Sequence, residues 1–552
     1  MSPETAVAGR RMLLPTLRGY RRAWLGADIL AGLSAGAVVI PQAMAYATIA
    51  NLPVQAGLYT CMVPMLVYAL LGGSRAMSVS TTSTIATLTA TTLVSAGVAA
   101  SSSDIPRDLI TLTLLVGVIL LAARLLRLGS LVEIINRPTV VGIQIGVGAT
   151  VAVGQLPKLL GETDDPTGHG FVHSFNAVLA ALGSANPATV VLSAASVATL
   201  FLFKRFLPRV PAPLIVVGAG IALAAIGVLQ PAGVELIAPV PQGFPLPGLP
   251  SFTDVAALLP GAAAIAVMAF LESEAVARGI RKPGEPAIDS NQELFATSAA
   301  NVLGSFFSTL PAAGGFSQSA VNQNAGARSQ LSTLVTVALA LLVGLFLGPV
   351  LSLLPQATLA ALVFVAVFGL IDIRALVMMW RISRRDFWIA LVTALIGLSA
   401  GLLTAVAAGV VITLVLVLMA LSKVRIRVER PSSDAVLVTL LGPLYTANAQ
   451  TTEQAILEAV AHEEGARIVV LDGARIDDIS VTVIEMFEDL GRELTASGLQ
   501  LRIARIDPAV EVVVDRTDVF RRMKAEGRTF TTVEAALAAP APPPRPPAAP
   551  AG

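Results

Sequence analysis

The chain has 552 residues, of which 55% are hydrophobic and only 13% are charged, with a mean hydropathy of +0.77. A composition this apolar excludes an ordinary soluble protein of this length and indicates a membrane protein. The net charge of +1 gives no electrostatic reason to expect a nucleic-acid partner. Cys61 is the single cysteine, which excludes an intrachain disulfide and a cysteine-rich metal site.

Apolar segments recur from residue 28 to about residue 422. Most are close to the ~20 residues that a helix needs to cross a bilayer, which predicts a polytopic α-helical membrane protein. Residues 1–27 are arginine-rich. The apolar stretch that follows them is too long for a signal peptide and lacks a small-residue cleavage site, so it is interpreted as a retained first span. We count fourteen transmembrane segments, near residues 28–50, 54–71, 78–96, 109–126, 138–156, 188–206, 212–229, 255–277, 292–308, 317–326, 330–348, 355–373, 386–401 and 403–421.

The basic residues between these segments indicate the topology. With a cytoplasmic N-terminus, fifteen of the seventeen Lys and Arg residues between positions 28 and 422 fall on the inner side, and only Arg107 and Lys158 fall outside. This bias agrees with the positive-inside rule. We therefore expect a multi-pass protein of the inner (plasma) membrane whose two termini are cytoplasmic and whose residues 28–422 form the transport domain.

After Lys423 the composition changes to that of a soluble domain. The alternating stretches AVLVTLLG, ARIVVLDG and LQLRIARI are typical of strands, and helical patterns lie between them. This order predicts a small α/β domain over residues 424–537. Residues 538–552 are rich in Pro and Ala, and we expect them to form a disordered or extended tail.

Two short segments interrupt the apolar block in corresponding places of its two halves. They are LGGSRAMSVSTTST (residues 71–84) and AAGGFSQSAVNQ (residues 312–323), and each contains a glycine pair followed by a Ser, Thr or Gln run. Paired interruptions of this kind are typical of transporters in which two half-helices point their positive N-terminal ends at an anion near the bilayer midplane. The sequence therefore predicts a carrier for an anionic solute, and the alternative for these two segments is a pair of ordinary polar loops.

Polar residues near the interruptions are the candidate anion-binding groups. Gln42 and Tyr46 are four residues apart in the first span and share one helical face, and a neutral amide can donate to an anion without burying a charge. Hydrogen bonding between helices is the alternative role for Gln42. The other candidates belong to the two half-helices: Ser80, Thr81, Thr82, Phe316, Ser317 and Gln318.

Glu272 is the candidate coupling residue. It lies six residues before Arg278, about 9 Å deeper along a helix, which is too deep for a short carboxylate to reach the surface. Protonation or a bound cation can neutralise such a group, and we favour a proton over sodium because Glu272 is a lone carboxylate. The alternative is an ion pair with a nearby arginine, and we expect that role for Glu274.

Enzymatic function finds no support in the sequence. There is no P-loop, and the three histidines are dispersed, with His169 and His173 in a predicted outside loop and His462 in the soluble domain. We therefore expect no metal and no other cofactor. Because an ATP motif is also missing, a gradient would have to drive transport.

The stretch IPQAMAYATIANLPVQAGLYTCMVPMLVYALLGGSRAMSVS resembles the hallmark region of the SulP (sulfate permease) family. The resemblance continues through IDSNQELFATSAANVLGSFF, GGFSQSAVNQNAGARSQLS and LPQATLAALVFVAVFGLID, and the C-terminal segment is similar to a STAS domain. The family resemblance covers nearly the whole chain. It implies a seven-plus-seven inverted repeat of core and gate domains, an elevator-like cycle and a homodimer.

The resemblance also implies roles for individual residues. Glu272 matches the acidic position that family members use for coupling or site organisation. Ser80-Thr81 stands where many relatives have Gly-Pro, and Gln318 stands where animal members have a basic residue, so a co-transported proton becomes more useful here. The family's anion site maps by motif onto four residues of this sequence: Gln42, Tyr46, Thr82 and Ser317.

On these grounds we expect a secondary active anion transporter, with proton-coupled sulfate uptake as the default. Bicarbonate or a dicarboxylate such as fumarate or succinate stays open as the substrate, and exchange stays open as the mode. The alternatives of other classes are a passive anion channel and a membrane scaffold whose STAS domain binds a cytoplasmic partner. We expect no nucleic-acid partner.

Overall fold

The computed structural model describes residues 13–17, 20–97, 105–127, 137–162, 171–207, 212–240, 242–368, 371–463, 465–476 and 479–541. His169 and the part of the predicted tail after residue 541 lie outside the described residues. The chain divides into two compact units, Met1–Thr413 and Leu414–Gly552. The first unit contains most of the apolar helices, and the second contains a five-stranded sheet.

In the first half of the helical unit, a two-residue strand, β1 (Val79–Ser80), interrupts the helices. Two short 3-10 turns, Pro15–Leu17 and Arg22–Trp24, precede the first helix. The helices are α1 (Leu25–Ile49), α2 (Val54–Thr60), α3 (Val63–Leu71), α4 (Ser83–Ser95), α5 (Ile105–Leu125), α6 (Arg137–Leu160), α7 (Phe171–Ala181), α8 (Pro187–Phe206) and α9 (Ala212–Ala225).

The second half repeats the arrangement of a short strand before a short helix. Here β2 (Ala313–Gly314) precedes α12. With nine residues, α12 is about 14 Å long, well short of the ~30 Å hydrocarbon core. The helices are α10 (Val255–Gly279), α11 (Ser290–Ser305), α12 (Phe316–Asn324), α13 (Leu331–Phe346), α14 (Gly348–Leu351), α15 (Gln356–Val367), α16 (Ile373–Ile382), α17 (Arg384–Ala400) and α18 (Leu402–Leu421).

Within the described residues, five helical stretches are individually long and apolar enough to cross a bilayer. Six further apolar helices have 10 to 17 residues. This architecture agrees with the expected polytopic helical protein, whereas the number fourteen stays a prediction. The five long stretches are Arg22–Ile49, Val54–Leu71, Pro106–Leu125, Arg137–Leu160 and Val255–Gly279.

Two helices differ from the sequence-based prediction. Helix α7 begins within the stretch expected to be an outside connection, so His173 lies in a helix and not in a loop. Helix α16 begins where the predicted span 355–373 was expected to end, because α15 already stops at Val367. The Asp372 carboxylate starts the new helix by accepting a hydrogen bond from the amide of Ala375 at 2.9 Å, which is a capping signal that hydropathy does not register.

Glycines allow the backbone of α1 to lie directly against the backbones of helices from both halves of the helical unit. A Cβ on Gly57 of α2 would lie 2.0 Å from the Ala43 carbonyl oxygen of α1. A Cβ on Gly32 of α1 would lie 2.2 Å from the Ser332 carbonyl oxygen of α13. Neither space holds a methyl group, so small residues set these helix contacts, as is common in membrane bundles.

The second unit is an α/β domain with strand order β3-β4-β5-β6-β7. Strands β3 and β4 are antiparallel, and the remaining pairs are parallel. The three predicted strands are confirmed as β4, β5 and β6. The elements are β3 (Ile426–Ser432), β4 (Ala435–Leu440), α19 (Ala449–Ala461), β5 (Ile468–Asp472), α20 (Val481–Ala496), β6 (Gln500–Ala504), α21 (Pro508–Val514), α22 (Asp518–Ala525), β7 (Thr529–Phe530) and α23 (Val533–Ala538).

Candidate functional site

The two broken segments meet as an antiparallel strand pair. Val79 of β1 is opposite Gly314 of β2, and Ser80 is opposite Ala313. The Gly315 amide extends the pairing by donating to the Ser78 carbonyl oxygen at 3.2 Å. Because α4 begins just after β1 and α12 begins just after β2, the pairing holds the N-terminal ends of the two short helices beside each other.

Glycine is required where β2 packs against α10. A Cβ on Gly314 would lie 2.6 Å from the Met77 sulfur and 3.0 Å from the Ser273 Cα. The Gly314 amide donates to the Ser273 hydroxyl at 2.9 Å, and that hydroxyl donates to the Ala269 carbonyl oxygen at 2.6 Å. The second broken segment is therefore fastened to α10 at the residue next to Glu272.

Buried amides hold the loop before β1 in place. The Gln330 amide donates to the carbonyl oxygens of Ser74 at 2.7 Å and Met77 at 2.8 Å. The Asn322 amide donates to the Ala76 carbonyl oxygen at 3.0 Å. Since loop carbonyls in an apolar unit need internal partners, these contacts explain how an irregular segment is stable between helices.

A buried carboxylate completes this loop. Glu293 of α11 has an exposed fraction of 0% and accepts hydrogen bonds from the Tyr68 hydroxyl at 2.7 Å. It also accepts from the amides of Gly73 at 2.9 Å and Ser74 at 3.1 Å. Glu293 lies within the family-like stretch IDSNQELFATSAANVLGSFF, but its spacing in the sequence does not reveal partners that are about 220 residues away.

The two helix ends differ in how they are capped. At α4, the Thr82 hydroxyl accepts a hydrogen bond from the Ile85 amide at 3.3 Å. At α12, the N-cap residue is Gly315, which has no side chain to offer. Both Phe316 and Ser317 at the start of α12 are exposed. The first amides of α12 are thus left for another acceptor, and an anion suits such a position.

Glu272 lies at this junction and contacts α4. The Thr82 hydroxyl donates to the Glu272 carboxylate at 2.8 Å, and Thr84 lies beside the same carboxylate. Tyr46 of α1 is buried close to Glu272 and Ser83. Three predicted residues, Tyr46, Thr82 and Glu272, are therefore brought together, and Ser83 is a neighbour that the sequence analysis did not select.

Ser80 and Gln318 form hydrogen bonds within the strand pair, and the anion-binding role predicted for them and for Thr81 stays a prediction. The Ser80 hydroxyl donates to the Gln318 side-chain oxygen at 3.1 Å, and the Gln318 amide donates to the Ser78 carbonyl oxygen at 3.1 Å. Thr81 is fully buried, and its hydroxyl has no hydrogen-bond partner within the described residues. Ser80 and Gln318 are adjacent to the helix ends, but their donors stabilise the strand pair.

Gln42 lies one helical turn before Tyr46 in α1 and is half-buried. The structure shows no side-chain hydrogen bond for Gln42 within the described part of the chain, so the interhelical role considered for it is not observed there. Its amide is free to act as a donor. Glu274, in contrast to Gln42, has side-chain partners. It pairs with Arg278 and accepts a hydrogen bond from Ser290 at 2.7 Å, as expected for a structural carboxylate.

A cavity of about 510 Å³ lies further along α4. It does not include the predicted anion-binding residues, and its lining contains no charged side chain. Hydroxyl residues line it from five helices: Thr87, Thr91 and Ser95 of α4, Thr150 of α6, Ser174 of α7, Ser399 of α17 and Thr404 of α18. The cavity is therefore an uncharged space, lined by hydroxyl and apolar groups, in the helical unit.

Comparison with known proteins supports the same architecture. Residues 25–393 match the model of the sulfate permease family, and residues 425–536 match the STAS domain. The structure of the murine Slc26a9 anion transporter in the inward-facing state superposes with a TM-score of 0.86 at 22% identity, covering 97% of this chain and 96% of that one. The transmembrane domain of the cyanobacterial bicarbonate transporter BicA gives a TM-score of 0.63 at 21% identity, covering 72% of this chain and all of that one.

Relatives in sequence are also found over most of the chain. A probable sulfate transporter of Mycobacterium tuberculosis is 31% identical over 538 residues, which cover 92% of this chain and 94% of the relative. The chloroplastic sulfate transporter 4.1 of Arabidopsis thaliana is 30% identical over 544 residues, which cover 91% of this chain and 78% of the relative.

The fold and the paired broken helices define a multi-pass membrane transporter with an attached STAS domain, and not an enzyme. The family match covers more than half of the sequence and agrees with the resemblance found in the motifs. This chain belongs to the sulfate permease family.

Proposed function

We propose that the protein is a secondary active transporter that moves sulfate together with a proton. The anion would bind at the uncapped start of α12, with donors from Gln42, Tyr46 and Ser317 around it. Neither α4 nor α12 contains a Lys or Arg, so partial charges of amide ends would provide the main attraction. The names of the relatives support sulfate as the substrate.

One observation carries the proton coupling: Glu272 is buried, contacts hydroxyl groups and has no cationic partner within the described residues. Arg278, the nearest basic residue in α10, is occupied by Glu274. An anion arriving beside a charged Glu272 would meet repulsion in a medium of low dielectric constant. Protonation of Glu272 removes that repulsion, so the anion and the proton stabilise each other in the site.

The Thr82 hydroxyl provides the link between the two events. While Glu272 is charged, Thr82 donates to it. When Glu272 is neutral, that donor is released, and it can turn toward an anion at the adjoining helix ends. Thr82 would thus serve the coupling carboxylate and the anion in turn, which is a function that its sequence position alone does not indicate.

The family resemblance supports three further parts of the proposal. Residues 28–422 would form the transport domain, which would move its core against its gate in an elevator-like cycle. Residues 424–537 would form the cytoplasmic STAS domain, whose partner we leave unnamed. The protein would be a homodimer in the inner membrane, with both termini in the cytoplasm.

Uptake by purified protein in proteoliposomes tests this proposal. Radiolabelled sulfate should accumulate when the outside is made more acidic than the lumen, and an inward sodium gradient should have no effect. Competition by unlabelled sulfate, bicarbonate, fumarate and chloride identifies the preferred anion. Accumulation that ignores the pH gradient would contradict proton coupling, and macroscopic anion currents without accumulation would indicate a channel.

A further inference from the structure

Helix α16 presents apolar residues on two opposite faces. On one face, Ala375 and Met379 are buried in a cluster with Val141 of α6 and Ala390 of α17. On the opposite face, three large apolar side chains have exposed fractions between 41% and 65%: Ile373, Val377 and Trp380. Exposed apolar side chains beside arginines on so short a helix are typical of a helix that lies at a lipid surface.

Two arginines border this outer face. They are Arg374 and Arg381, which are seven residues and thus two helical turns apart, so both lie on the same side of α16. Both are exposed, and neither forms an ion pair within the described residues. Together with Ile373, Val377, Met378 and Ile382, they line a shallow, open space of about 350 Å³ along α16 alone, which we call the α16 groove.

The position of α16 in the chain places the groove at the membrane surface. Its ten residues span about 15 Å and cannot cross a ~30 Å hydrocarbon core. It follows the apolar helix α15 and precedes α17, which we predict to be a span. Arg384 lies over the Trp380 ring, 3.7 Å from its centroid, and Trp and Arg are typical of the membrane interface.

We propose that the α16 groove binds an anionic phospholipid. The phosphate would lie between Arg374 and Arg381, and an acyl chain would lie on Ile373, Val377 and Met378. The charge of the surrounding segment favours this occupant over a neutral lipid, because residues 372–386 contain four Arg and two Asp. Of the two aspartates, Asp372 accepts a hydrogen bond at the start of α16, and neither forms an ion pair with Arg374 or Arg381 within the described residues.

Fluorescence of Trp380 tests the proposal without any measurement of transport. The chain has three tryptophans, so Trp24→Phe with Trp388→Phe leaves Trp380 as the only one. The purified full-length variant is reconstituted in phosphatidylcholine vesicles containing equal fractions of either brominated phosphatidylglycerol or brominated phosphatidylcholine. We expect stronger quenching by the brominated phosphatidylglycerol, because a bound lipid keeps its bromines near Trp380.

A double substitution, Arg374→Gln with Arg381→Gln, should bring the ratio of the two quenching efficiencies to about one. Each arginine near an anionic lipid surface contributes roughly fivefold in binding. The matched control is a single Arg385→Gln, which removes a charge outside the groove and should leave most of the preference. Equal quenching by both lipids in the parent variant would overturn the proposal. The proposal would also be overturned if neither lipid quenched Trp380, which is the result expected if protein covers the α16 groove.

Discussion

Thr82 and Glu272, which are 190 residues apart in the chain, form a direct hydrogen bond of 2.8 Å at the junction of α4 and α10. The same Thr82 hydroxyl accepts from the Ile85 amide and so caps α4. One hydroxyl group therefore connects a short broken helix to a buried carboxylate. Any change in the charge of Glu272 acts on the end of α4 through this contact.

Replacing Glu272 with Gln should preserve folding and remove the response of sulfate uptake to an imposed pH gradient. The amide has nearly the same shape as the carboxylate, but it neither carries charge nor takes up a proton. We expect Glu272→Gln to bind sulfate and to exchange it, while gradient-driven accumulation falls to the level of empty vesicles. Glu274→Gln is the matched control and should keep the pH response. Unchanged accumulation in Glu272→Gln would remove Glu272 from the coupling mechanism.

Replacing Thr82 with Val should move the pH profile of uptake to higher pH by about one to two units. The substitution removes the donor to the charged carboxylate, and a hydrogen bond to a charged group contributes roughly 1.5–3 kcal/mol. Thr82→Ser keeps the hydroxyl and should resemble the parent protein. Comparing the two variants separates the effect of losing the hydroxyl from the effect of changing the shape of the side chain. Identical pH profiles for both would show that the contact between Thr82 and Glu272 has no part in coupling.

Replacing Glu293 with Ala should lower the stability of the helical unit without any direct effect on the anion. Three donors, from Tyr68, Gly73 and Ser74, would lose their acceptor, and each unsatisfied buried group costs about 1–3 kcal/mol. Glu293→Gln retains an acceptor and should be intermediate. The melting temperature in detergent checks this order, and an unchanged melting temperature for Glu293→Ala would show that the loop does not depend on this carboxylate.

The sequence predicts the meeting of the two broken segments because the cause is local. A glycine pair next to a polar run cannot continue a membrane helix, and the two runs occupy corresponding places in the two halves. The strand pairing of Val79 with Gly314 agrees with this prediction. The long-range contacts are harder to predict, because neither spacing nor hydropathy indicates which distant residue a hydroxyl will contact.

Ser80 and Gln318 illustrate this difficulty. Both are polar and next to a helix end, as an anion-binding residue should be. In the structure they bond to each other over 238 residues of sequence, because a buried polar group needs a hydrogen-bond partner. Glu274 is the opposite case, since its partner Arg278 is one helical turn away and could be predicted from spacing.

In the STAS domain, replacing Arg505 with Met should destabilise the sheet at the end of β5. Arg505 donates to the Asp472 carboxylate, with its Nε at 2.9 Å from Oδ1, and the Asp472 side chain is only 4% exposed. A buried carboxylate that loses its partner costs about 1–3 kcal/mol. The control is Arg492→Met, which breaks an exposed pair with Asp489 and should cost under about 1 kcal/mol. Hydrogen exchange of the amides in β5 and β6 measures the loss of stability in each variant. Equal losses in Arg505→Met and Arg492→Met would contradict the prediction.

Adding a side chain at Gly315 tests whether the start of α12 holds the anion. Gly315→Asn and Gly315→Asp have nearly the same shape, and both can cap α12, but only Asp adds a negative charge where the substrate would bind. A Cβ at this position would lie 2.5 Å from the Gln318 amide nitrogen, so both variants displace Gln318 to the same extent. We expect Gly315→Asn to raise the KM for sulfate about tenfold and Gly315→Asp to abolish saturable uptake. Binding of sulfate to the purified variants, measured by calorimetry, checks the difference, and equal affinities for the two would place the anion elsewhere.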